Sequence, residues 1–139
     1  MNPALVATLV VGIGSAIGGV ARYWMAVGVA RLTGEAFPWG TLFINIIGSF
    51  FIAYFGTLTL PDGPQPASAS LRLFVMVGLC GGYTTFSSFS FQTIELLRSG
   101  ESVRALTYIV ASVVLCLVGT VIGHWLAHAS LQTLMESHR

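Results

Sequence analysis

The stretch Gly81-Gly82-Tyr83-Thr84-Thr85-Phe86-Ser87-Ser88-Phe89-Ser90-Phe91 decides how this chain is read. It lies inside an apolar run over residues 71–97, long enough to cross a bilayer, since a spanning helix needs about 20 mainly apolar residues. The segment begins about ten residues into that run at 1.5 Å per residue, which places it near the bilayer midplane. Two adjacent glycines followed by β-branched and hydroxyl side chains form helix poorly. Irregular backbone at that depth persists only where it is buried in protein or lines a cavity, and carbonyls released there can coordinate a cation. A plain glycine kink, with Ser and Thr bonding back to the chain, is the structural alternative. Hydroxyls interleaved with three phenylalanines favour a functional role over that kink.

Working outward, three more apolar runs reach spanning length: residues 4–30, interrupted only by Arg22, residues 39–60 and residues 103–127. The 139 residues are 55% hydrophobic and 8% charged, with a mean hydropathy of +0.83. Soluble domains carry about a quarter charged residues, and a disordered tail needs more charge and fewer aromatics. Six basic against five acidic residues, with no lysine, leave no basic stripe for nucleic acid. The expected fold class is therefore an all-α integral membrane protein of four transmembrane helices, the third broken near the midplane. Residues 1–139 are expected to form a single membrane domain. The first run lacks the basic n-region of a secretory signal and outlasts its h-region, so it reads as a retained helix. Cys80 and Cys116 fall within spans and read as buried free thiols rather than a disulfide framework.

Four spans place both termini and the second connection on one side. That side carries Arg72 and Arg139, the other Arg31, Arg98 and Arg104, so the arginine bias that sets orientation is weak. A chain with so little bias can insert either way round and give an antiparallel pair of identical subunits. Four packed helices leave little central space in one copy, which also points to a pair. Gly14/Gly18 and Gly119/Gly123 are GxxxG pairs that allow close backbone approach, within a subunit or between subunits. Gly12-Ile-Gly14-Ser-Ala-Ile-Gly18 lacks the preceding strand that a dinucleotide loop requires.

The stretches GGVARY (residues 18–23), GTLFINIIGSF (residues 40–50) and GLCGGYTTFSSFSFQ (residues 78–92) resemble the signature stretches of the Fluc/CrcB fluoride channel family. The resemblance runs through essentially all four spans. It implies an antiparallel, dual-topology homodimer in the bacterial inner membrane, with two fluoride-selective pores that lower cytoplasmic fluoride. It also implies a central structural sodium ion held by backbone carbonyls of the broken third helix, here those of Gly81 and Thr84. The pore-lining phenylalanines fall on Phe86 and Phe89, the pore asparagine on Asn45, and the polar track of the fourth helix on Tyr108 and Ser112. Two residues depart from the pattern: Gln92 stands where glutamate is common, and Cys116 where a hydroxyl is expected.

The chemistry of these residues suits an anion independently of the resemblance. Dehydration is the main cost of moving a small anion into hydrocarbon, so a pore must supply donors without holding the ion too hard. Asn45 offers two N–H donors mid-span, an interhelical hydrogen bond being its structural alternative. Phe86 and Phe89, three apart on one helical face, can turn electropositive ring edges toward an anion. Tyr108, Ser112 and Cys116 recur every four residues, and Thr41 lies one turn before Asn45. Arg22 reads either as a vestibule charge or as a side chain snorkelling to the interface. Glu95 and Arg98 are spaced for a solvated pair, and His124 and His128 are too few for a metal site. A proton-coupled exporter of cationic drugs needs an intramembrane carboxylate, which the first span lacks. A scaffold subunit would tolerate any well-packed residue at Asn45, Phe86 and Phe89. No nucleophile–base pair, metal box or phosphate loop points to an enzyme.

Overall fold

The structure is a computed structural model that describes residues 2–61 and 65–137. Part of the turn-rich second connection, and Arg139 from the orientation count, lie outside the described residues. Asn2 starts the first helix: its Oδ1 accepts the Ala4 N–H at 3.0 Å, and Pro3 occupies the first position, where its missing donor costs nothing. Helix α1 (Pro3–Thr33) ends where Gly34 takes φ +75°. Helix α2 spans Trp39–Leu58. Helix α3, residues 69–83, joins Ala69–Arg72, a π-wound stretch Leu73–Cys80 and Gly81–Tyr83 without a gap. Helix α4 covers Phe86–Arg98 and α5 covers Ser102–Ser137. Four helical stretches are long and apolar enough to cross a membrane, Ala69–Arg98 counting as one of them. The fold is an all-helical, multi-pass membrane architecture. The last helix runs ten residues past the expected end at 127, because no proline or glycine follows to stop it.

Two details of the third span differ from expectation. Gly81 and Gly82 are helical, and the residues that leave the helix are Thr84 (φ −78°, ψ 159°) and Thr85 (φ −153°, ψ 114°). Gly82 serves packing instead. A Cβ on Gly82 would sit 2.6 Å from the Ser15 carbonyl oxygen, and one on Gly14 would sit 2.6 Å from the Phe74 carbonyl oxygen. Ahead of them, the Gly81 N–H reaches back to the Met76 carbonyl, five residues away. Such π-winding is rare and concentrates at functional positions. Nothing in the residue pattern of Leu73–Cys80 announces it.

The GxxxG pairs act within the subunit. Gly14 and Gly18 meet Gly78, Leu79 and Gly82, while Gly119 and Gly123 meet the backbone of Ile46 and Phe50. The chain thus forms two close pairs, α1 with α3 and α2 with α5, joined through α2. This overturns the expectation of a filled bundle centre. Close backbone approach draws each pair together and leaves α3 and α5 apart, with a cleft between them over α2. At the end of α2, Arg72 Nη1 donates to the carbonyls of Gly56 (3.1 Å) and Thr59 (2.6 Å) and to Thr59 Oγ1 (2.8 Å). A cation there satisfies end carbonyls and opposes the negative end of the helix dipole. Glu95 and Arg98 form no ion pair; among the described residues the pair is Glu101 with Arg104 at 3.2 Å, beside the Gly100 turn.

Candidate functional site

Asn45 organises the site. Its Oδ1 accepts the Thr85 N–H at 2.8 Å and its Nδ2 donates to the Thr85 carbonyl at 3.0 Å. One side chain on α2 thereby satisfies both backbone groups of an extended residue at membrane depth, where water cannot do so. The interhelical bond is present, and one Nδ2 hydrogen remains for another acceptor. Gly48 lies one turn beyond Asn45, and any side chain there would strike Thr84 Cγ2, so its bareness lets the extended segment rest on α2.

The extended pair also leaves the carbonyls of residues 81–84 without their helical partners. In a continuous helix Gly81 O would accept from Thr85 N–H and Thr84 O from Ser88 N–H. Thr85 N–H is given to Asn45, and Ser88 N–H to Thr85 Oγ1 at 3.1 Å. Gly81 and Thr84 are thus two of these carbonyls, their helical donors being diverted to side chains. Hard oxygen dipoles of this kind suit a sodium ion, so the residues present fit the cation expected there.

Beside this segment lies a cleft of about 320 Å³ lined by Asn45, Thr84, Thr85, Phe86, Phe89 and Ser112, with Ser49, Ile52 and Cys116 along its wall. Ser112 is 7% exposed, and its Oγ is buried without a hydrogen-bond partner among the described residues. A buried hydroxyl left unmatched costs about 1–3 kcal/mol, so its place on a cleft wall calls for a guest. The Phe86 and Phe89 rings are 5.3 Å apart, Phe89 lies 5.1 Å from Tyr108, and Tyr108 lies 5.5 Å from Phe37. Phe86 is 78% exposed and Tyr108 wholly buried.

Tyr108 differs from its expected role as a donor along the track. Its hydroxyl donates to Gln92 Oε1 at 2.9 Å, so its proton is committed and the residue presents a ring to Phe89. Thr41 is buried away from the central cleft. It borders a cavity of about 700 Å³ with Phe37, Gln92 and Glu95, and another of about 410 Å³ with Arg22, Thr85, Ser88 and Gln92. Arg22 thus lines a hollow of mixed polarity that also holds part of the site. Cys116 is a free, half-buried thiol on the cleft wall, while Cys80 is buried. The central part Thr85 plays is not foreshadowed by its residue type. Phe37 was also missed, because ring contacts across loops leave no periodic signal. Among the described residues no group of three or more His, Cys, Asp or Glu could hold a metal ion.

Fold and site together define a multi-pass helical membrane protein with a largely apolar cleft, carrying a few polar groups, beside an extended segment of its third span. The model of the family described as CrcB-like protein, Camphor Resistance (CrcB), matches residues 9–124, and the chain belongs to that family. It is 56% identical over 117 residues, 84% of its length and 89% of the relative's, to a protein of Methylocella silvestris named fluoride-specific ion channel FluC. Proteins of the same name from Methylobacterium radiotolerans (53% over 119 residues, 86% of this chain and 82% of the relative) and Opitutus terrae (49% over 129 residues, 93% and 97%) are also similar. These relatives are named as channels, not enzymes.

Proposed function

We propose that this chain is a passive, fluoride-selective channel that lowers cytoplasmic fluoride, working as a pair of oppositely oriented copies in a bacterial inner membrane. The single observation that carries the reading is the partnerless Ser112 hydroxyl, buried on the wall of a cleft shared with Asn45, Phe86 and Phe89. Residues of this kind fit an anion that must shed water without being trapped. Ser112 donates its proton, Asn45 its second N–H, and the phenylalanine rings turn electropositive edges toward the ion. Tyr108, held by Gln92, fixes the ring row. The names of the relatives supply the ion.

On this reading the extended Thr84–Thr85 pair serves as the break expected in the third span, and its place midway along Ala69–Arg98 would put it near the midplane. Two antiparallel copies share a two-fold axis in the membrane plane, so the pairs of freed carbonyls from both would surround one point. Gly81 and Thr84 would hold sodium there; when bound, the ion supplies positive charge that offsets converging carbonyl dipoles. Liposomes containing the purified chain test the function. Rapid fluoride loss with chloride retained is the expected result; rapid chloride loss, or no fluoride loss, overturns it.

A further inference from the structure

The cleft does not end at Cys116. Ile52 also lines a second cavity of about 540 Å³, mostly apolar in its walls, whose polar groups are Thr57, Arg72, Thr120 and His124. On α5 the positions Tyr108, Ser112, Cys116, Thr120 and His124 follow one another every four residues, forming a ridge that winds slowly across the helix surface. Ser112 and Cys116 border the first cavity, Thr120 and His124 the second. From Ser112 to His124 the ridge covers about 18 Å along the axis.

We infer that the Thr57–Arg72–His124 cavity is a second anion station, at the far end of the polar ridge, where a small monovalent anion rests between the aqueous phase and the cleft. This rests on the channel reading. Arg72 Nη1 carries all three bonds to the end of α2, and among the described residues Nη2 and Nε are left for an incoming anion. Those bonds also temper the site: the guanidinium sits against the negative end of the α2 dipole, which offsets part of its charge. The station attracts an anion yet lets it go, as conduction requires. His124 is exposed within the subunit, and its Nδ1 lies 2.8 Å from buried Thr57 Oγ1. When the threonine hydroxyl donates to Nδ1, Nε2 carries the ring proton and becomes a donor. Among the described residues no hydrogen bond uses that donor, and the His128 ring packs edge-on to the imidazole at 4.6 Å.

The test is fluoride efflux from liposomes over a range of fluoride concentrations, for the parent chain, His124→Leu and Arg72→Gln. Each substitution is expected to raise the half-saturating concentration by roughly three- to tenfold, with a smaller effect on the rate at saturating fluoride. Variants that elute like the parent but show its half-saturating concentration overturn the station and leave the channel reading standing. A parent that loses no fluoride removes both. Should Arg72→Gln fail to elute like the parent, because α2 has lost its terminal partner, His124→Leu alone decides. A shift seen in vesicles containing anionic lipid and absent from zwitterionic ones would mean that lipid phosphate fills the cavity, which also overturns the proposal.

Discussion

Ser112 and Asn45 sit on the same cleft wall and answer to mutation differently. Ser112 Oγ has no partner to lose, so Ser112→Ala is expected to hold or slightly raise thermal stability while lowering fluoride flux roughly tenfold, the worth of one donor near 1.4 kcal/mol. Melting curves in detergent and liposome efflux on the same preparation check both halves. Asn45→Ala strands the Thr85 amide and carbonyl. It should cost about 2–6 kcal/mol, at 1–3 for each unmatched buried group, and show as a lowered unfolding midpoint. The residue types at these positions were legible in the sequence, Asn45 and Ser112 both standing out as polar in apolar spans. Their partnering was not, because it depends on how far the backbone at Thr85 has swung out of the helix. Tyr108 shows the same limit: a hydroxyl on the right face is visible in the sequence, and the Gln92 oxygen that captures its proton is not.

Among the elements, the four spans follow from hydropathy and length, and their starts at Pro3, Trp39, Ala69 and Ser102 each lie within two residues of the expected positions. The internal character of the third span was harder to read. Glycine has low helix propensity, which marks Gly81–Gly82 as the weak spot, yet both are helical, and at Gly82 close contact with α1 overrides that propensity. The prediction at this scale compares Gly82→Ala with Gly19→Ala. A Cβ at residue 82 would meet Ser15 backbone atoms at 2.6 and 2.7 Å, whereas one at residue 19 meets nothing within 4 Å. Gly82→Ala should destabilise by about 1–3 kcal/mol through overpacking, while Gly19→Ala stabilises slightly through its better helix propensity. Equal unfolding midpoints for the two variants would show that the α1–α3 contact is loose.

At the level of the whole molecule, one chain exposes a large apolar surface beside an open cleft. Phe86 is 78% exposed, as are large parts of Ile13, Ile17 and Val20 on α1, and the cleft is open along one side. If sodium joins two copies through the Gly81 and Thr84 carbonyls, replacing it with a large organic cation should lower the unfolding midpoint and the dimer fraction seen by size exclusion. A ligand present at a hundred times its dissociation constant stabilises by about 2.7 kcal/mol. An unchanged melt and dimer fraction in sodium-free buffer would remove the ion from the assembly.

Helix α2 packs against each of the other four helices, and this gives it a particular vulnerability. Its wall residues keep their places only relative to one another: Asn45 for Thr85, Gly48 for Thr84, Ile46 and Phe50 for the glycines of α5. Inserting a single residue among them would turn everything downstream by about 100°, so the seams on opposite sides of the spine would lose register together. Terminal additions and loop extensions should be absorbed; one extra residue in the middle of α2 should not.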